Sequence, residues 1–182
     1  ADGAPVAEYE DFALDATFGD KDNDFELSLP EGARMGKGWM WWVEGTEYGG
    51  VVDRATMRTA KGARSAGYQG RTWSGVLASK ILCPPQGSDY LTLSGDATDC
   101  VRAVLERAQA NDVAAPATVL SGIAVNHRFE RYCDAWDGLR RMLRGAGARP
   151  SVRWAGGRAV VGATPVEDFG RYVDDDLLDL DI

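Results

Sequence analysis

The chain has 182 residues, 45% of them hydrophobic, so it can bury one core as a single domain or as one domain with a helical insert. Its 28 acidic and 20 basic residues give a net charge of −8, which argues against a protein that binds the phosphate backbone of nucleic acids. No apolar run approaches the roughly 20 residues of a membrane-spanning helix and no signal peptide is visible, so the sequence predicts a soluble chain without a membrane span.

The three cysteines, Cys83, Cys100 and Cys133, have no short spacing between them. An odd number of isolated cysteines fits neither a disulfide framework nor a zinc site. We therefore predict buried, reduced thiols in a protein made in the cytosol.

The first predicted element is a β-hairpin near the N-terminus. Residues 9–18 alternate loosely between apolar and polar side chains, and residues 25–29 alternate strictly before Pro30, so each is predicted to be a strand. The segment GDKDND between them predicts a turn, although three of its aspartates have a spacing that suggests calcium: Asp20, Asp22 and Asp24. It lacks the glycine and the distal glutamate of an EF-hand loop, which favours a solvated turn over a metal site.

The next predicted strand, residues 39–43, carries aromatic side chains on both faces. The alternation gives two sets, Trp39, Trp41 and Val43 against Met40, Trp42 and Glu44. Such a strand is expected to be covered on both sides. The segment EGTEYGG then turns the chain into a partner strand at 51–57. Three interpretations stay open for the tryptophans: core packing, a subunit interface, or a platform on which carbohydrate stacks.

A polar connection at 61–67 is predicted to lead into YQGRTWSGVLASKILCPP, residues 68–85, where the sheet meets the helices. Thr72 is the predicted N-cap of a short helix, which Pro84 and Pro85 end. One apolar stripe lies at helical spacing: Trp73, Val76, Leu77 and Ile81. The first three of these side chains are expected to plug one end of a barrel.

Two amphipathic helices are predicted downstream. The first covers residues 97–108, with Asp96 as its N-cap and Asp99 in its first turn. The second runs from Tyr132 to Ala146 and is ended by the glycines and the proline of 145–150.

Strands are predicted around the second helix. The segment TVLSGIAVN after Pro116 is β-like, and SVRWAGGRAVVGA predicts a hairpin through Gly156 and Gly157. The final stretch, residues 168–182, is acidic.

The sequence predicts no catalytic, cofactor-binding or metal-binding residues. His127 is the single histidine, so no site can be built from several histidines. A dyad of His127 with Cys133 is arithmetically open, since a helix start near Cys133 could lower its pKa, but a surface histidine beside a packed cysteine is commoner. Paired carboxylates could hydrolyse a glycosidic bond, yet the C-terminal aspartates form a charge run typical of a solvated tail: Asp174, Asp175, Asp176, Asp179 and Asp181. We predict that the protein is not an enzyme.

Three stretches together resemble the N-terminal region of siphophage minor tail proteins and baseplate hub proteins: EGTEYGGVVD, YQGRTWSGVLASKILCPP, and the helix, strand and helix that precede RPSVRW. The resemblance covers residues 9–180. It implies an α+β fold, a β-barrel-like hub (tube) domain of mostly antiparallel strands with an inserted pair of amphipathic helices. The chain then divides into a β-rich barrel part ending in a short helix (9–83), a helical insert with a short strand (84–149), and returning strands with an acidic tail that complete the barrel (150–182).

The resemblance also implies a structural role in the tail tip of a phage or prophage, connecting the tail tube to the tip and forming a DNA conduit. It implies self-association as a homotrimer, contacts with distal tail, tape-measure and tip or fibre proteins, and DNA only in passage, without specific binding. The protein would be made in the bacterial host cytoplasm and reside in the virion. The alternative is a carbohydrate-binding or hydrolytic accessory domain of the tail tip, which would use exposed tryptophans and carboxylates.

Overall fold

A computed structural model of the chain describes residues 5–16, 25–30, 32–60 and 63–166, with backbone alone at 58–60 and 63–65. No helix within these ranges is long and apolar enough to cross a membrane. The fold is α+β, with a curled sheet of half-barrel shape. The predicted calcium-like loop and the acidic aspartates from Asp174 onward lie outside the described residues.

The first sheet contains five antiparallel strands in the order β1-β2-β5-β4-β3. Its strands are β1 (Ala13–Ala16), β2 (Phe25–Leu29), β3 (Met40–Trp42), β4 (Gly49–Ala60) and β5 (Ala63–Thr72). The predicted pairing of the first two strands is confirmed, with Ala13 opposite Ser28 and Ala16 opposite Phe25. The strict alternation in β2 buries every second side chain, as expected for a strand with one face in the core and the other towards solvent.

The long hairpin of β4 and β5 corrects one prediction. Residues 63–67, predicted as a polar connection, continue β5 because their backbone pairs with β4 as far as Ala60 opposite Ala63. Small and polar side chains are compatible with a ladder that is made by backbone groups. A β-bulge lies between Val52 and Arg54, and the bulged Asp53 accepts two hydrogen bonds from Arg71, at 2.8 and 2.9 Å.

Helix α1 (Trp73–Ala78) follows β5 directly, and the Thr72 hydroxyl accepts a hydrogen bond from the Gly75 N–H at 3.3 Å. The N-cap prediction is therefore confirmed. The predicted stripe is wrong at Ile81, which lies outside the helix and is 47% exposed. The helix ends early because the Ser79 hydroxyl donates to the Val76 carbonyl at 2.7 Å, so Pro84 and Pro85 are not what stops it.

Helices α2 (Ala97–Arg107) and α3 (Ala135–Arg144) confirm the two predicted amphipathic helices. Asp96 caps α2 as predicted, and Asp134 caps α3 through the Asp137 N–H at 2.8 Å. The predicted start of α3 is wrong: Tyr132 has a positive φ of 58° and lies before the cap.

Two smaller sheets complete the described fold. Strand β6 (Thr92–Asp96) pairs with β8 (Ala124–Arg128), and β10 (Arg158–Pro165) lies between β7 (Ala114–Pro116) and β9 (Ala148–Ala155). The predicted strand after Pro116 begins at Ala124, later than the pattern indicates. Helix α3 ends at Arg144 with Gly145 as its C-cap, so the glycine signal is confirmed, whereas the predicted end at Ala146 lies two residues too far. Pro150 does not end the helix, because it lies inside β9.

The hairpin predicted through two glycines is confirmed between β9 and β10. Gly156 and Gly157 have φ values of 58° and 78°, as a two-residue turn with both residues left-handed requires. In the described residues, however, β9 and β10 pair with each other and with β7, and neither pairs with the first sheet. The predicted completion of a barrel by β9 and β10 is therefore not seen in the backbone pairing. Helices α2 and α3 instead cover the inner face of the β7-β10-β9 sheet and form a separate core with it.

Two hydrophobic cores result. The main core lies between the helices and the β7-β10-β9 sheet, and its fully buried members include Val101, Leu105, Leu139, Leu143 and Val161. The minor core lies inside the first sheet and contains Phe25, Leu27, Leu29, Ala33, Trp41, Val52 and Tyr68. Each large apolar side chain of this kind stabilises the fold by roughly 1.5–3 kcal/mol. Met40 and Val51, on the other face of the first sheet, pack against the main core and join the two.

Candidate functional site

The joint between the two cores is a stack of three tryptophans. The ring of Trp154 lies 4.3 Å from that of Trp42 with an angle of 12° between their planes, and 5.5 Å from that of Trp73 at 18°. These are offset-stacking distances, which contribute beyond simple burial. Gly49 makes the approach possible, because a Cβ there would collide with the indole of Trp73.

The tryptophan stack covers one face of strand β3, and the minor core covers the other. Trp41 enters the minor core against Phe25, with ring centroids 4.8 Å apart, whereas Trp42 faces the other way and meets Trp154. Coverage on both sides is thus confirmed, and it is intramolecular. For Trp41 and Trp42, these contacts support the interpretation as core packing.

Binding of carbohydrate by stacking requires tryptophan rings that are exposed to solvent. All six lie in described residues, and Trp39, at 45% exposure, is the one that belongs to the exposed class. A carbohydrate platform, one of the three interpretations left open, needs rings that face solvent, and Trp39 provides one such ring.

The surroundings of Cys133 disfavour the thiolate that an activated dyad with His127 would need. Burial raises the pKa of the Cys133 thiol, and the nearby carboxylates of Asp134 and Asp137 raise it further, so the thiolate is disfavoured. The helix start near Cys133 therefore does not lower its pKa, because an acidic residue is the cap. The His127 ring packs edge-on against Phe129, with ring centroids 4.7 Å apart.

The prediction of three buried thiols is confirmed for Cys100 and is wrong for Cys83. Cys100 is buried and Cys133 is half-buried, but Cys83 is exposed, and all three are free. Burial raises the pKa of Cys100, and the carboxylates of Asp99 and Asp96 add to that effect.

Because His127 is the single histidine, its titration can be measured without ambiguity. Burial lowers its pKa, and the positive charge of Arg141 lowers it further. The unfolded chain, with a histidine pKa of about 6.5, then binds a proton that the folded chain resists, so stability falls as pH drops below about 6.5. We expect an NMR titration midpoint below 6.5 and, in urea unfolding between pH 7 and 5, a smaller loss of stability for His127→Gln than for wild type. A midpoint at or above 6.5 would contradict this account.

Asp96 is the centre of a second polar cluster, which the sequence does not reveal. Beyond capping Thr98 at 2.8 Å, its carboxylate accepts hydrogen bonds from the Ser121 N–H and hydroxyl, both at 3.1 Å, and from the Gly122 N–H at 2.7 Å. Partial burial alone would raise its pKa, but these four bonds outweigh it and lower the pKa to about 2. The cluster fixes the segment before β8 onto the start of α2.

The low pKa of Asp96 predicts acid sensitivity. Its folded value lies below the unfolded value of about 3.9, so the stabilisation is complete above pH 4 and is lost as pH falls towards about 2. We expect Asp96→Asn to lower the thermal midpoint at pH 7 and to differ less from wild type at pH 2.5. Asparagine can keep the three bonds to Oδ1, but it loses the negative charge and the bond from the Gly122 N–H to Oδ2, where an amide NH2 would face another donor. Asp99→Asn, one turn into the same helix and exposed, is the control; an equal effect of both variants would contradict the role of the cluster.

No group of three or more histidine, cysteine or acidic side chains that could hold a metal occurs among the described residues. Two concavities lie on the described surface near the elements discussed above. One, of about 260 Å³, lies beside the tryptophan stack and is lined by Trp73, Trp136, Arg140, Arg149 and Glu47, among others. It is smaller than the roughly 300–1,000 Å³ of typical small-molecule sites. The other, of about 440 Å³, is a groove on the outer face of the β7-β10-β9 sheet.

A projecting ribbon is the remaining distinctive surface. Strand β2 covers β5 only at residues 66–70, and β3 covers β4 only at 49–51, while β4 and β5 continue to pair as far as Ala60 and Ala63. The ribbon, residues 54–60 and 63–65, has no further described strand on either edge. Its Met57 side chain is 78% exposed. Unpaired edges and an exposed methionine are features of surfaces that bind other chains.

The chain matches no known protein-family profile and no curated protein sequence. Its fold is similar to that of a tail protein from Neisseria meningitidis, with a TM-score of 0.52 and 16% sequence identity. The similarity covers 88% of this chain and 52% of the Neisseria protein, so the chain spans about half the length of that protein. The similarity shows a shared fold, and one fold can serve several functions.

Proposed function

We propose that the chain is a structural component of a phage or prophage tail tip, of the minor tail or baseplate hub type, and not an enzyme. The observation that supports this most is the similarity of fold to a tail protein over 88% of the chain. The resemblance of EGTEYGGVVD and YQGRTWSGVLASKILCPP to siphophage hub proteins also supports it. In this role the protein connects the tail tube to the tip, and its net charge of −8 suits a conduit through which DNA passes without binding.

The projecting ribbon is the element best placed to build an assembly. In the proposed homotrimer, the ribbon of each subunit lies against the next, and its free backbone edges and Met57 supply the contact. Distal tail, tape-measure and tip or fibre proteins are the expected further partners in the virion, after synthesis in the host cytoplasm.

The tail assignment is tested on particles. An antibody against this chain should label one end of purified tails in negative-stain electron microscopy, and deletion of the gene should leave tails that lack a tip. Intact, infectious particles without the protein would contradict the proposal.

Self-association is tested by sedimentation of the purified chain. We expect a trimer, and we expect Met57→Asp to shift it to a monomer because a charge is inserted at the ribbon contact. Val6→Asp is the matched control, since Val6 is 79% exposed and lies away from the ribbon in sequence. A wild-type chain that stays monomeric at high concentration would count against the trimer, whatever the outcome on particles.

A further inference from the structure

The outer face of the β7-β10-β9 sheet forms a groove with a floor of small residues. Ala117, Ser151 and Gly162 line this floor, and a Cβ at Gly162 would lie 3.2 Å from the Ser151 hydroxyl and 3.7 Å from the Ala117 methyl. The opposite face of the sheet packs on α2 and α3 in the main core. The groove, of about 440 Å³, is therefore an open surface on an otherwise packed sheet.

Two adjacent apolar side chains also line the groove. Val119 and Leu120 are 76% and 62% exposed. Their backbone is held firmly, because the Thr98 hydroxyl donates to the Val119 carbonyl at 3.1 Å and Ser121 is bonded to the Asp96 carboxylate. Exposed apolar side chains on an ordered backbone beside a groove mark a binding surface.

The charge of this sheet has the opposite sign to that of the whole chain. Strands β7, β9 and β10 carry three arginines, Arg149, Arg153 and Arg158, and no acidic residue, in a protein with a net charge of −8. All three are exposed, and none forms a salt bridge with the residues that the structure describes. Arg153 lines the groove itself. The surface suits an acidic ligand with apolar side chains.

The chain contains one segment with that composition. Residues 174–182, DDDLLDLDI, combine five aspartates with three leucines and an isoleucine. The described chain leaves β10 at Val166, whose N–H donates to the Gly147 carbonyl at 2.9 Å, and the groove is lined by Gly162, Ala163 and Thr164 just before that point. The twelve residues 167–178 can span up to roughly 40 Å, so the chain after Val166 is long enough to bring Leu178 back to the groove.

We propose that residues 174–182 bind in the groove of their own chain, with leucines against Val119 and Leu120 and aspartates near Arg153. The inference stands on the charge and shape of the groove and is independent of the tail assignment. It gives the acidic segment a defined partner, where the sequence indicated only a solvated or interacting tail.

The test uses the full chain with the photo-crosslinking residue p-benzoylphenylalanine in place of Leu178, and in a second version in place of Leu180. After irradiation, mass spectrometry should find crosslinks to residues 117–121 and 151–164. Mixing isotopically labelled and unlabelled chains should yield crosslinks within one chain. Crosslinks to other surfaces, crosslinks between labelled and unlabelled chains, or none in either version would overturn the proposal.

A charge-reversal variant tests whether Arg153 contributes to binding of the acidic segment. Arg153→Glu should reduce the crosslink yield several-fold, and so should raising the salt to 1 M, where the screening length falls to about 3 Å. Arg102→Glu is the control, because Arg102 is an exposed arginine on α2 that pairs with Asp99 and lies outside the groove lining. A yield that is the same in both variants would overturn the role of Arg153 and with it the proposed pairing of charges.

Discussion

Trp154→Ala is expected to lower the free energy of unfolding by about 3 kcal/mol, the low end for a core tryptophan because the ring is only half-buried. The substitution removes the middle ring of the stack, so Trp42 and Trp73 both lose their stacking partner. The first sheet is thereby loosened from the main core. Urea unfolding followed by far-ultraviolet circular dichroism measures the change without relying on tryptophan fluorescence.

Two further variants define the cause. Trp39→Ala removes an indole that is 45% exposed, so it should change the free energy of unfolding by no more than about 0.5 kcal/mol. Trp154→Phe keeps an aromatic ring in the stack and should fall between wild type and Trp154→Ala. If Trp154→Ala were as mild as Trp39→Ala, the stack could not be what joins the two cores.

Gly70→Ala is expected to destabilise the protein by about 3 kcal/mol, at the upper end of the cost of overpacking. A Cβ at this position would collide with the carbonyl oxygen of Val51 and lie 2.8 Å from the Asp53 nitrogen. Both are backbone atoms of β4 at the bulge, so they cannot move without breaking the pairing that positions α1. Thermal and urea unfolding measure the loss.

Gly145→Ala is the matched control for that prediction. Gly145 ends α3 with a φ of −61°, and a Cβ there would lie 3.5 Å from the carbonyl oxygens of Arg141 and Met142, an ordinary contact. This substitution should be neutral or stabilising by up to about 1 kcal/mol, since alanine restricts the unfolded chain. A mild effect at both glycines would show that the β4–β5 backbone has room that the structure does not indicate.

The tryptophan stack, the Asp96 cluster and the groove were less predictable from the sequence than the helices and strands. The sequence predicts that the strand of Trp42 is covered on both sides, but it does not show that Trp154, more than a hundred positions away, packs on the Trp42 ring. Asp96 was recognisable as a helix cap, whereas its bonds to Ser121 and Gly122 depend on how a distant loop returns. The groove beside Val119 arises only when three strands from separate segments form one sheet.

By itself, the sequence determined the features that depend on neighbouring residues: the caps at Thr72 and Asp96, the turn at Gly156 and Gly157, and the apolar periodicity of two helices. These follow from backbone torsions and hydrogen bonds within a few positions of the chain. Tertiary structure alone decided that 63–67 are a strand, that Ile81 lies outside α1, and that β9 and β10 form a sheet with β7. Such outcomes depend on backbone pairing and packing between distant segments, and local propensity does not encode them.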